Sequence, residues 1–148
     1  MQSRVLVVAV AAGCAVVGIA GCSSGPANSP QPPGSVPVGT AQVTINGQST
    51  GTTHEIKCTQ DDWMHTIITG NDKSGVKVVV DTGNAVTAKS VVITNVGDFT
   101  GSMLENQIGK ADATMIGSTF RVNGTAEGAS TADPNQPTSA SFEVKANC

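Results

Sequence analysis

The stretch from about Ala41 to Cys148 predicts a mainly β domain, an antiparallel sandwich or strongly curled sheet, preceded by a signal peptide and a disordered tether. Three observations carry that expectation. The apolar residues alternate with polar ones or come in short β-branched runs, which is the signature of strands. Gly, Asn and Asp recur at short intervals, where tight turns need positive φ angles. No segment sustains a long 3.6-residue apolar period.

The strands are expected at Ala41–Ile45, His54–Thr59, Met64–Thr69, Val76–Asp81, Lys89–Asn95, Ala111–Ile116, Thr119–Ala126 and Ser139–Asn147. In Val76-Lys77-Val78-Val79-Val80-Asp81, Val76, Val78 and Val80 share one face, so one side meets a core. Phe120-Arg121-Val122 and Phe142-Glu143-Val144-Lys145 alternate in the same way. Turns fall at Asn71–Gly75, Thr82–Asn84, Asn95–Asp98 and Gly117-Ser118. Gly47–Gly51 reads as a Gly/Ser/Thr hairpin loop, and Ser102–Ile108 as a helical turn or two. With three Phe, one Trp and no Tyr the core is mostly valine, isoleucine and methionine. So modest a core in roughly 100 residues is expected to need a cross-link.

Upstream of the domain, residues 1–21 read as a lipoprotein signal peptide. Arg4 precedes an unbroken run of small and apolar residues from Val5 to Ala20, too short for a comfortable membrane span of ~20 apolar residues. Ile19-Ala20-Gly21-Cys22 matches the bacterial lipobox: a branched apolar residue, two small ones, then cysteine. Diacylglyceryl transfer to the Cys22 thiol and cleavage before Cys22 are expected to leave a lipid-anchored chain. One acyl chain holds a protein to a bilayer only marginally, whereas two make a stable anchor. Residues 22–40 form the lipidated cysteine and a Pro/Ser-rich linker that holds five of the seven prolines and no charge. Such a segment stays extended or disordered, with a reach of about 50 Å at ~3 Å per residue.

Composition narrows the function. The chain has a formal net charge of −3, and losing Arg4 makes it more acidic. That disfavours nucleic acid, whose phosphates need clustered Lys/Arg. Of the four cysteines, Cys14 leaves with the signal peptide and Cys22 takes the lipid. Cys58 and Cys148 remain, and in an exported protein they most simply form one disulfide. A reactive thiol pair is the alternative, unsupported by any C-x-x-C spacing.

Gly47-Gln48-Ser49-Thr50-Gly51 matches the G-x-S-x-G nucleophile elbow, and Asp61 or Asp62 with His65 could complete its acid and base. No helix is expected after it, and the domain is too short for that hydrolase fold. His54, Asp61, Asp62 and His65 lack the fixed spacing of a zinc site, so neither a metal nor a cofactor is expected. Trp63 is expected to pack, partly buried, near the disulfide, with an exposed contact residue as the alternative. Asn123-Gly124-Thr125 is formally a glycosylation sequon but falls within a strand.

Phe120-Arg121-Val122-Asn123-Gly124-Thr125-Ala126-Glu127-Gly128, then Asp133-Pro134-Asn135, then Ser141-Phe142-Glu143-Val144-Lys145-Ala146-Asn147-Cys148 resembles the closing signature of the mycobacterial lipoprotein antigens, relatives of the nineteen-kilodalton antigen. Ser74-Gly75-Val76, Val79–Gly83, Val91-Val92 and Val43–Gly47 fit the same family. The resemblance implies an antigen of the cell envelope, anchored in the membrane by its acyl chains on the extracytoplasmic side. It also implies engagement of host innate immune receptors through the acylated N-terminus, and no catalytic site. The family's best-known tether is Thr-rich and glycosylated, whereas this one is Pro/Ser-rich. A carrier that holds a lipid or other small apolar ligand in a β-sheet cavity is the alternative function, and a hydrolase ranks last.

Overall fold

The computed structural model describes residues 30–148, and these form ten strands and no helix. They are β1 (Thr40–Ile45), β2 (Gln48–Thr53), β3 (Ile56–Asp61), β4 (Met64–Gly70), β5 (Gly75–Asp81), β6 (Thr87–Val96), β7 (Phe99–Leu104), β8 (Lys110–Ile116), β9 (Thr119–Ser130) and β10 (Pro137–Asn147). All pairings are antiparallel, in the order β2-β1-β10-β9-β7-β6-β5-β4-β3. The sheet curls into a nearly closed barrel, which is the strongly curled alternative of the expected fold class.

Strand β9 makes the curl possible. Its first half pairs with β8, Ile116 opposite Thr119 through Lys110 opposite Thr125. Its second half, Glu127–Ser130, pairs with β7 on the same side. The crossing strands come very close at two glycines. A Cβ on Gly124 would stand 1.9 Å from the Lys110 carbonyl oxygen, and one on Gly128 2.0 Å from that of Thr100. Only a residue without a side chain lets the neighbouring backbone in.

The inward face alternates as the sequence predicts. Val76, Val78 and Val80 are all buried, as are Val43 and Ile45 of β1 and Phe142 and Val144 of β10. Together with Ile67, Val91, Ile93, Met103 and Phe120 they form one cluster that reaches across the curl from β1 to β4. Burial at roughly 25 cal/mol per Å² of apolar surface is the main force holding the curl.

Two elements differ from expectation. Gln48–Thr53 is a strand, not a loop, turned back by Asn46 and Gly47 at φ 49° and 77°. Ser102–Ile108 is not helical: Ser102–Leu104 end β7, residues 105–107 turn, and Ile108 bridges back to Leu104. Gly101 explains the latter. The Phe99 ring lies where its Cβ would be, 2.6 Å from Phe99 Cζ, so the strand buries Phe99 and Met103 across a bare position.

The end of the Pro-rich stretch is also ordered, against the expectation of a linker through Thr40. Val36 is only 2% exposed. Its N–H donates to Thr119 Oγ1 at 3.1 Å, and its carbonyl accepts from Asn147 Nδ2 at 2.8 Å. Both partners are themselves buried. One apolar side chain and two satisfied backbone groups offset the cost of ordering this segment.

Candidate functional site

Cys58 sits on β3 at the open edge of the sheet, and Cys148 follows β10 in its interior. Their sulfurs are bonded, with Cα atoms 6.1 Å apart and a sequence separation of 90. The bond ties the sheet edge to the opposite wall, so it closes the barrel where backbone pairing does not.

Beside this bond lies an apolar groove of about 390 Å³. Its walls are the disulfide itself, His65 and Ile67 of β4, Met115 of β8 and Phe120 of β9. Ile67 and Phe120 belong to the core and floor the groove, whereas Met115 is 43% exposed at its rim. The His65 ring lies 5.0 Å from that of Phe120, and its Nε2 is 3.2 Å from Thr82 Oγ1. The imidazole is thus held by a hydroxyl and an aromatic face.

The residues weighed for catalysis are not brought together. Ser49 is on β2 and His65 on β4, and their side chains hydrogen-bond elsewhere, His65 Nε2 facing Thr82 Oγ1. Ser49 Oγ accepts from Gly51 N–H at 3.2 Å instead. Asp62 occupies the β3–β4 turn at φ 50°. His54 lies in the bend before β3. Among the described residues no three His, Cys, Asp or Glu side chains group closely enough to hold a metal ion. Asn123 is part of β9, as expected.

Trp63 departs from expectation, since it is 65% exposed. Its carbonyl accepts from the Thr82 N–H and hydroxyl, and its ring rests against Gly83. It borders a polar hollow with Asp81, Asn84 and Lys89. There Lys89 donates to Glu105 at 2.8 Å and lies 3.9 Å from Asp81. The hydrogen bond to Glu105 holds the ammonium pKa above its ordinary value, against a smaller opposing effect of burial.

The remaining charged cluster is on the outer face of β9 and β10. Arg121 Nε donates to Glu143 at 2.7 Å, and Lys145 approaches the same carboxylate at 3.3 Å. Partial burial pushes the Glu143 pKa up. The bonds and charges of Arg121 and Lys145 outweigh it and hold the carboxyl below its ordinary value.

Cys22 and the rest of the lipobox lie outside the described residues. Among the described residues no helix is long and apolar enough to cross a membrane. The groove and the disulfide were not both legible in advance: the bond followed from cysteine usage, while the groove needs residues that only the curl brings together.

The family described as Mycobacterium 19 kDa lipoprotein antigen matches residues 34–148. A putative lipoprotein of Mycobacterium indicus pranii is 43% identical over 110 residues, 74% of this chain and 78% of that protein. A putative lipoprotein of Mycobacterium avium subsp. hominissuis is 35% identical over 149 residues, which covers 100% of this chain and 97% of that protein. Lipoprotein LpqH of Mycobacterium tuberculosis is 33% identical over 108 residues, 72% of this chain and 68% of LpqH. The pattern of core strands, closing signature and matched length therefore assigns this chain to the Mycobacterium 19 kDa lipoprotein antigen family.

Proposed function

We propose that this chain is an acyl-anchored lipoprotein of the cell envelope, held on the extracytoplasmic side of the membrane, whose folded domain is a non-enzymatic antigen and interaction module. In this reading residues 1–21 are removed, Cys22 carries the acyl groups, and residues 41–148 are the displayed domain. The observation that carries it is Ile19-Ala20-Gly21-Cys22, a lipobox at the head of a chain whose relatives are named lipoproteins. A diacylated cysteine supplies the two chains that stable anchoring needs. The same amphiphile, at the end of a Pro/Ser-rich tether, can be inserted into an apolar receptor groove, and it is the feature an innate receptor of the host recognises.

The test compares native protein, a Cys22→Ala form secreted with an ordinary signal peptide, and an acylated peptide covering Cys22–Ser29. The native protein and the peptide are expected to activate receptor-bearing cells, and the Cys22→Ala form is not. Equal signalling by the unacylated domain overturns the assignment. Turnover of an ester substrate that Ser49→Ala or His65→Ala abolishes overturns the non-enzymatic reading.

A further inference from the structure

The described chain enters the barrel beside the disulfide groove. The Pro32 ring lies 3.7 Å from where a Gly117 side chain would begin, and Ile116 Cδ1 lies 3.3 Å from where one on Gly34 would begin. Val36 is then fastened to Thr119 and Asn147. The entering segment therefore rests on the Ile116–Thr119 turn between β8 and β9. Met115, Ser118 and Phe120, in and around that same turn, line the groove.

Cys22 stands eight positions before Pro30. A stretch of that length spans at most about 29 Å when fully extended. The tether is thus fixed to the barrel next to the groove and is short enough for its far end to return there. The groove presents mostly thioether, aromatic, aliphatic and disulfide surface, with Thr59, Gln60, His65, Thr66 and Ser118 as its polar side chains and no Lys, Arg, Asp or Glu among its lining residues. An anionic or cationic occupant would find no charged side chain to pair with beyond the imidazole, whereas a hydrocarbon chain would bury surface against the apolar walls.

We propose that one acyl chain of Cys22 folds back into this groove, so that the domain holds part of its own anchor. The proposal rests on the reading that Cys22 is acylated. It also gives that anchor a regulation. With both chains of the diacylglyceryl group in the bilayer the protein is stably anchored, and with one in the groove only marginal attachment by that group remains. The groove and the membrane then compete for the same chain, and a receptor that needs it must draw it from one or the other.

The test uses the full chain made in a mycobacterial host fed a fatty acid with a photoreactive diazirine. After illumination, peptide mass spectrometry locates the label and its cross-links. Label on Cys22 with cross-links to segments 58–67 or 115–120 of the same chain is the expected result. Label on Cys22 cross-linked only to lipid or to other segments overturns this inference and leaves the acylation reading standing. Cross-links between two chains place the acyl group in a neighbour's groove and also overturn it. No label on Cys22 overturns both. A second measurement uses Met115→Glu, at the exposed rim, on zwitterionic vesicles. If two thirds of the protein docks its chain, blocking the groove raises vesicle affinity about threefold. Unchanged or weaker binding by a variant with native circular dichroism counts against the proposal.

Discussion

Replacing both Cys58 and Cys148 by serine removes the only covalent tie across the open seam of the described barrel. The double variant avoids a stray thiol. The bond closes a loop of 90 positions. In the chain-entropy treatment that constraint lowers the entropy of the unfolded chain by about 15 cal/mol/K, which is about 4–5 kcal/mol at 25 °C. A domain of this size unfolds with roughly 2.1 cal/mol/K of entropy per residue, so Tm should fall by about 15–20 °C. Far-UV circular dichroism in urea and on heating is the assay, because Trp63 is too exposed to report on packing by fluorescence. The m-value should rise, since the unlinked chain exposes more surface when unfolded. A loss below about 1.5 kcal/mol would refute the reasoning. It would mean that the seam is held by packing alone, or that the unlinked unfolded chain keeps structure.

Three further outcomes follow from the packing and charges. Gly124→Ala drives a methyl group into the Lys110 carbonyl and should cost about 3 kcal/mol, read by urea unfolding, whereas Gly83→Ala, beside the exposed Trp63, should cost far less. Asn147→Ala removes the donor to the Val36 carbonyl and should cost about 1–3 kcal/mol, with faster amide exchange at Val36 and Gly39. The folded-state pKa of Glu143 lies below its unfolded value of about 4.3, so its stabilising contribution is complete above that pH and is lost as pH falls through the folded pKa. Unfolding free energies measured from about pH 6 down to pH 3 should therefore decline, and Glu143→Gln should reduce that slope.

Strict alternation of inward residues is what makes β5 and β10 plain in the sequence. Val76, Val78 and Val80 in β5 and Phe142 and Val144 in β10 could serve no other regular structure. Strand β2 was missed because Gln48–Thr53 buries nothing fully and is held by its pairing with β1, which leaves no apolar pattern. Asn46-Gly47 was the available signal, a dipeptide suited to a two-residue hairpin turn. In β7 the spacing of Phe99 and Met103 fits one face of a helix or of a strand, and Gly101 decides between them only once the Phe99 ring is seen over it. Val36 looked like tether because its neighbours are Pro, Gly and Ser. Its burial depends on Thr119 and Asn147, which are distant in sequence. The groove was illegible for the same reason. Residues 58–67, 115–120 and 148 meet only after the sheet has curled, and no local pattern encodes that meeting.

The account stands most directly on Cys22, and the intact mass of the native protein with sequencing of its first peptide tests it. The expected result is a chain that begins at Cys22 and carries the mass of a diacylglyceryl group or more, with Cys58 and Cys148 oxidised. A mature chain that begins at any other residue, or that begins at an unmodified Cys22, would contradict the account.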